Sequence, residues 1–386
     1  MKTSKVLFLT DKYLPFPSSN GTCVSKIVGS YPQKENVYVL AFSSSDAEIP
    51  STNIHYCRYK RKPSSAFNRI FGHCQDDGAV TALFMEACQM IEDNGIDTVV
   101  CLYRPVECLL AGLKLKSKYK HLCVIGYFLD NIHEWSTSSR VKDQIFFFNQ
   151  KRLLHQLYRS FDSILSLKYY QPTFEEMLRK TEKLCYVGLP SLREYSGDAQ
   201  NMFSSNYINI VYAGSFYANC RRPDQILAFL AEVCAQVPEI RIHLYSWGCQ
   251  ELVDTAKEKM GENLVLCGRV SAEEAERAIH SADILLNVGN DMPYAVPGKL
   301  IEYFSTGKPI INFCYRPSDG AAKDCEKYEN VFNVYANGNN SVDDCVKFVL
   351  NRQSLSWDTL KEKFYDSLPG YTADRILETR LKSKHV

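Results

Sequence analysis

Lys299 and Glu302 stand three residues apart in "VPGKLIEYFSTGKPII" (296–311), an ammonium that can meet a phosphate and a carboxylate that can accept hydrogen bonds from a diol. Leu300, Ile301 and Phe304 fall on one helical stripe, which leaves Lys299 and Glu302 on another side. Gly307 is placed to end that helix and Pro309 to prevent its return. An exposed ion pair worth well under ~1 kcal/mol is the plain reading. Against it, the helix follows a strand, so its first turn sits where ligands gather in α/β sheets.

A second cationic pair, Arg221 and Arg222, occurs in "VYAGSFYANCRRPDQILAFL". The pattern predicts a strand ending at Ala213, a tight turn at Gly214 and Ser215, and a helix beginning around Pro223. Two arginines in a loop are by default solvated. At a strand-to-helix loop facing a glycine, guanidinium groups suit a diphosphate, which needs charge and bidentate donors. Which of the two adjacent arginines would face the ligand is open, with Arg221 the first choice. Asn290 and Asp291 precede the helix at 298 and are further polar candidates.

Weaker signals lie elsewhere. In "LTDKYLPFPSSNGTCVSKIV" Asn20 and Gly21 are expected to open a helix at Thr22, where a glycine lets backbone N–H groups approach an anion, although N-G is first a turn signal. Asp130 ends a strand in "GYFLD", close to His133 and Glu134, and is as readily a helix cap as a ligand contact. Arg104 sits before Pro105 at another strand end, and Arg269 follows Gly268 in "LCGRVSAEE".

Something must hold these residues at strand ends. "KVLFLT", "NVYVLAF", "DTVVCLY", "LCVIGYFL" and "SILSL" read as strands with helices between most of them. After the polar stretch at 197–206 a second series follows: "INIVYAG", "IRIHLYSW", "NLVLCG", "ADILLNV" and "KPIINF". Such alternation predicts α/β architecture, two doubly wound domains facing each other across a cleft. The expected boundaries are 1–196 and 207–365, a linker at 197–206, and a C-terminal helix over 366–386 returning to the first domain.

The 386 residues are 45% apolar, enough for two cores. Forty-five basic against 44 acidic residues give no global attraction to nucleic acid or membrane. The short apolar run at 6–10 reads as a first strand, not a signal peptide, and no stretch approaches the ~20 apolar residues of a membrane span. Fifteen cysteines without C-x-x-C spacing indicate a reducing, cytoplasmic setting and no zinc site. "CRYKRKPSSAFNRIFGH" carries five basic residues (58–71), no acid and several aromatics. A solvated loop is the simpler reading; a peripheral contact with anionic lipid is the sharper one.

The segment "VPGKLIEYFSTGKPII" resembles the donor-binding stretch of GT-B glycosyltransferases, specifically the family-four retaining group whose motif is close to P-S-K-x-x-E-Y-x-S-x-G-K-P-I. The resemblance implies a GT-B fold and transfer of a sugar from a nucleotide diphosphate sugar, with uridine the expected base, to an acceptor hydroxyl in polysaccharide or lipid-linked glycan assembly. It implies retention and no obligatory metal or other cofactor. Glu302 matches the ribose-binding glutamate and Lys299 a phosphate contact. "AGSFYANCRRP" is similar to the family's phosphate-binding region, most directly at Arg221, with Gly214, Ser215 and Arg222 beside it. Arg221, Lys299 and Asp130 would form the catalytic set, Gly21 the first glycine-rich loop, and Arg269 a contact near the base. Where many members carry the first glutamate of an E-x7-E pair, this chain has Tyr294, and Asn290 and Asp291 are its substitutes. A non-hydrolysing sugar-nucleotide epimerase and an inactive nucleotide-sugar-binding subunit are the alternatives. A dinucleotide-dependent oxidoreductase is disfavoured, since no G-x-G-x-x-G follows either first strand.

Overall fold

The computed structural model describes residues 4–15, 18–42, 53–132, 141–195, 201–291, 298–316 and 322–383. The chain divides into two compact units, Met1–Ser191 with Asp366–Val386, and Leu192–Tyr365. Each is built on one parallel sheet.

In the first unit the strands are β1 (Val6–Thr10), β2 (Val37–Phe42), β3 (Ile54–Cys57), β4 (Thr98–Tyr103), β5 (Cys123–Phe128), β6 (Ser163–Leu167) and β7 (Leu184–Val187), in the order β3-β2-β1-β4-β5-β6-β7. β1, β2, β4, β5 and β6 are buried along their whole length. This is why they read as continuous apolar runs rather than alternations. The C-terminal helix Pro369–Ser383 belongs to this unit and packs on the helix Ser19–Ser30, with Arg380 3.4 Å from Asp97.

In the second unit β8 (Ile208–Ser215), β9 (Ile240–Trp247), β10 (Leu264–Leu266), β11 (Ile284–Val288), β12 (Ile310–Cys314) and β13 (Val331–Tyr335) run in the order β10-β9-β8-β11-β12-β13. Its core joins Ile210, Ile242 and Leu286 of the sheet to Ile226 and Leu230 of the helix Asp224–Gln236.

Ten of these thirteen strands fall on the runs read from sequence; β3, β7 and β13 do not. All three are edge strands of four or five residues, only partly buried. An edge strand has a neighbour on one side only, so it needs no unbroken apolar run and leaves a weak pattern. All fifteen cysteines are free thiols. No helix among the described residues is long and apolar enough to cross a membrane.

Candidate functional site

In each sheet the strand order reverses at one place, between β1 and β4 and between β8 and β11. The crossovers leave in opposite directions there, which opens a crevice beyond the carboxyl ends of the two strands.

In the second unit that crevice is a cavity of about 210 Å³ lined by Gly214, Ser215, Arg221, Asn287, Lys299 and Tyr303 among others. Arg221 is held in place by its own loop. Its backbone exchanges hydrogen bonds with Tyr217 at 2.9 and 2.8 Å, its Nε donates to Asn290 Oδ1 at 3.0 Å, and Nη1 reaches Ser215 O at 3.4 Å. Lys299 enters from the helix Gly298–Phe304, whose Leu300, Ile301, Tyr303 and Phe304 are buried and fix which face looks outward. Lys299 is exposed by surface area, yet protein crowds its ammonium. That desolvation lowers its pKa; Glu302 opposes the shift and Arg221 adds to it. Because the side chain remains exposed, its ammonium is open to a ligand. Glu302 lies one turn on, half-buried, outside the cavity lining but close enough for its charge to act on Lys299. No carboxylate lines the cavity among the described residues, so two cations face it alone.

The strand end beneath them is tied by two tyrosines. Tyr212 Oη donates to Ser215 O at 3.1 Å, and Ala213 N–H donates to Tyr303 Oη at 3.2 Å. Burial pushes both hydroxyls well above the usual tyrosine pKa, so they stay protonated. A ladder that the sequence reading missed runs through the sheet from the cavity wall. Asn287 Nδ2 donates to Asn312 Oδ1 at 2.7 Å, and Asn312 Nδ2 to Asn333 Oδ1 at 2.8 Å, across directly paired positions of β11, β12 and β13. The available signal was an asparagine amid apolar residues in "ILLNV", "IINFC" and "VFNVY". A buried amide is tolerated in a strand only when partnered.

One expected strand end is corrected. β8 does not end at Ala213: Gly214 and Ser215 pair with Ser246 and Trp247, because β9 extends equally far, and no turn forms there. Arg222 turns away from the cavity to Asp224 at 3.1 Å. Asp291 pairs with Arg316 at 3.0 Å. Arg269 is exposed at the end of β10, its guanidinium 6.0 Å from the ring centre of Trp247, which meets Tyr217 edge-on at 5.9 Å. Tyr294 lies outside the described residues, as do His133 and Glu134.

In the first unit the helix at the first loop spans Ser19–Ser30 rather than opening at Thr22, because Ser18 is its cap. The Gly21 N–H that was expected to meet an anion donates to Ser18 Oγ at 3.0 Å. Asn20 ties the loop ends together: its Nδ2 lies 3.1 Å from Arg104 O and 3.3 Å from Asp130 Oδ2. Arg104 and Asp130 thus converge beyond β4 and β5. Arg104 adopts φ +56°, a left-handed conformation that the Cβ of an L side chain disfavours. Beside it lies a larger cavity of about 550 Å³, walled by Tyr103, Pro105, Val106 and Phe146, with Asp11, Arg61, Arg104, Glu107, His73 and Gln150 at its polar positions. Glu107 is buried, and accepts from Arg61 at 3.0 Å and from the Asp76 N–H at 2.9 Å. Among the described residues, Gln150 Oε1 and His73 Nδ1 are buried without a hydrogen-bond partner. Burial, reinforced by Arg152, lowers the His73 pKa to about 4, so this imidazole is neutral.

No protein-family model matches the sequence, and no curated protein matches it by sequence similarity. Solved structures do match in fold. The N-terminal domain of Candida albicans trehalose-6-phosphate phosphatase aligns at TM-score 0.64 and 12% identity over 99% of this chain and 97% of that one. A candidate UDP-N-acetylglucosamine 2-epimerase of Listeria monocytogenes aligns at 0.60 and 12% over 97% and 94%. WaaG, a glycosyltransferase involved in lipopolysaccharide biosynthesis, aligns at 0.58 and 13% over 96% and 99%. With two parallel Rossmann-like sheets and such neighbours along almost its whole length, the chain has the GT-B fold.

Proposed function

We propose that this chain is a glycosyltransferase. It binds a nucleotide diphosphate sugar, uridine-linked, in the second unit and transfers the sugar, with retention, to an acceptor hydroxyl held by the first. The observation that carries the reading is the acid-free cavity at the β8/β11 switch point, where Arg221 and Lys299 converge. At about 210 Å³ it is smaller than the ~300–1,000 Å³ of pockets that enclose whole ligands. It therefore takes one part of the donor, the diphosphate, and leaves the base and sugar to neighbouring surfaces. The exposed Tyr217 and Trp247 rings with Arg269 offer a stacking face for the base. Glu302 accepts from the ribose hydroxyls.

Departure of the diphosphate is the costly step, and fixed cations aimed at the developing charge lower it. Arg221, oriented by Asn290 and Ser215, and Lys299 are those cations. Asp130, tied to Asn20 beyond β5, is the polar group on the acceptor side. Support also comes from the segment 297–310, which resembles a donor-binding motif, and from neighbours whose names include a glycosyltransferase. One neighbour is named for epimerisation, so a sugar-nucleotide epimerase is the second reading; it differs in yielding product without an acceptor.

Thermal unfolding against UDP, GDP and their sugars tests the donor site, with wild type beside Glu302→Ala. A ligand at a hundred times its Kd adds about 2.7 kcal/mol of stability. One diphosphate should stabilise the wild type and much less the variant; equal stabilisation of both would remove Glu302 from the site.

A further inference from the structure

We propose that the face formed by residues 58–71 and the outer side of the helix Val141–Ser160 docks on the surface of an anionic lipid bilayer, beside the first-unit cavity. On that helix Phe148, Lys151, Arg152, His155, Gln156 and Arg159 recur at helical spacing and border one shallow groove. Arg152 Nη2 donates to Phe71 O at 3.0 Å and so fastens the 58–71 segment alongside. Phe67, Phe71 and Phe148 are 68%, 61% and 65% exposed, and the first two rings pack on each other at 5.3 Å.

Around these rings basic side chains outnumber acidic ones, although Asp76 and Asp77 reach the segment, accepting from the Lys62 N–H at 2.6 Å and from Asn68 Nδ2 at 2.8 Å. Arg61 is neutralised by Glu107, but among the described residues the side-chain cations of Lys60, Lys62, Lys151 and Arg159 have no ion-pair partner. Exposed phenylalanines among unpaired cations match an anionic lipid surface, where rings enter the acyl boundary while ammonium and guanidinium groups meet phosphate. A soluble polyanion would use the cations and leave the rings in water. The two elements also turn their other sides to the cavity of about 550 Å³, through Arg61, His73, Phe146 and Gln150. If that cavity is the acceptor side, which rests on the function proposed above, the acceptor is presented from the membrane.

Sedimentation of the intact protein with phosphatidylcholine vesicles, with and without phosphatidylglycerol, tests this. The wild type should bind the anionic vesicles alone. Lys151→Glu with Arg159→Glu should weaken that binding roughly tenfold or more, and Phe67→Ser with Phe71→Ser and Phe148→Ser should weaken it although every charge remains. A wild type indifferent to anionic lipid overturns the proposal. So does a phenylalanine variant that binds as tightly as wild type, which would make the face a site for soluble polyanions. Should the triple variant not fold, Phe148→Ser alone replaces it. Nucleotide-induced stabilisation is measured on the same proteins: its absence in all of them counts against the donor site and leaves the vesicle result standing.

Discussion

The two switch-point cavities arise from the same topology and differ in everything that meets a ligand. That of the second unit is small and cationic, with no carboxylate among its described lining residues. That of the first is more than twice as large, walled by aromatic and aliphatic side chains, with Asp11 and Glu107 balancing Arg61 and Arg104. A parallel sheet dictates where a crevice opens, and the loops leaving its strands decide what the crevice binds. Here one set of loops supplies fixed positive charge, and the other a neutral, partly apolar chamber.

Arg221→Ala would break this contrast most severely. Hydrogen bonds to charged groups are worth about 1.5–3 kcal/mol, so the affinity for a nucleoside diphosphate should fall roughly tenfold to a hundredfold by isothermal titration calorimetry, with little change in Tm. Undiminished affinity would mean that the cationic cavity is not the anion site. Glu107→Ala should act in the opposite sense. It leaves Arg61 and the Asp76 N–H without their buried acceptor and should cost about 2 kcal/mol of stability in denaturant unfolding, while diphosphate affinity stays at the wild-type value. Arg222→Ala sharpens the assignment within the second unit. Its exposed pairing with Asp224 predicts an effect below ~0.5 kcal/mol on stability, and diphosphate titration should give an affinity within about twofold of wild type. A larger loss of affinity would move the phosphate contact from Arg221 to its neighbour.

The central strands were legible because burial on both faces forces apolar runs such as "VLFLT" and "ILLNV". The edge strands β3, β7 and β13 were not, since a half-exposed strand need not impose such a composition; β10, also at an edge, was read because it lies in the apolar run "NLVLCG". The choice between Arg221 and Arg222 was undecidable from adjacent letters; it depends on the Tyr217–Arg221 backbone pairing, which turns one side chain inward and frees the other for Asp224. The asparagine ladder needed register as well as type, because three asparagines in three strands mean little until Asn287, Asn312 and Asn333 fall opposite one another. Gly21 shows the reverse: the dipeptide announced a helix start correctly in kind, but Ser18, three residues earlier, took the cap and the amide with it.

By itself the sequence determined the alternation of strands and helices, and with it two doubly wound sheets whose crevices open beyond strand ends. Those features follow from local periodicity and from burial, which every residue along a strand records. Only the tertiary structure decided which side chains share a cavity, because Arg221 and Lys299 are 78 residues apart in the chain and meet through the adjacency of β8 and β11. It also decided that the basic stretch at 58–71 lies against a second basic face on the helix Val141–Ser160. Long-range neighbourhood is set by sheet order, and sheet order leaves no mark at any single position.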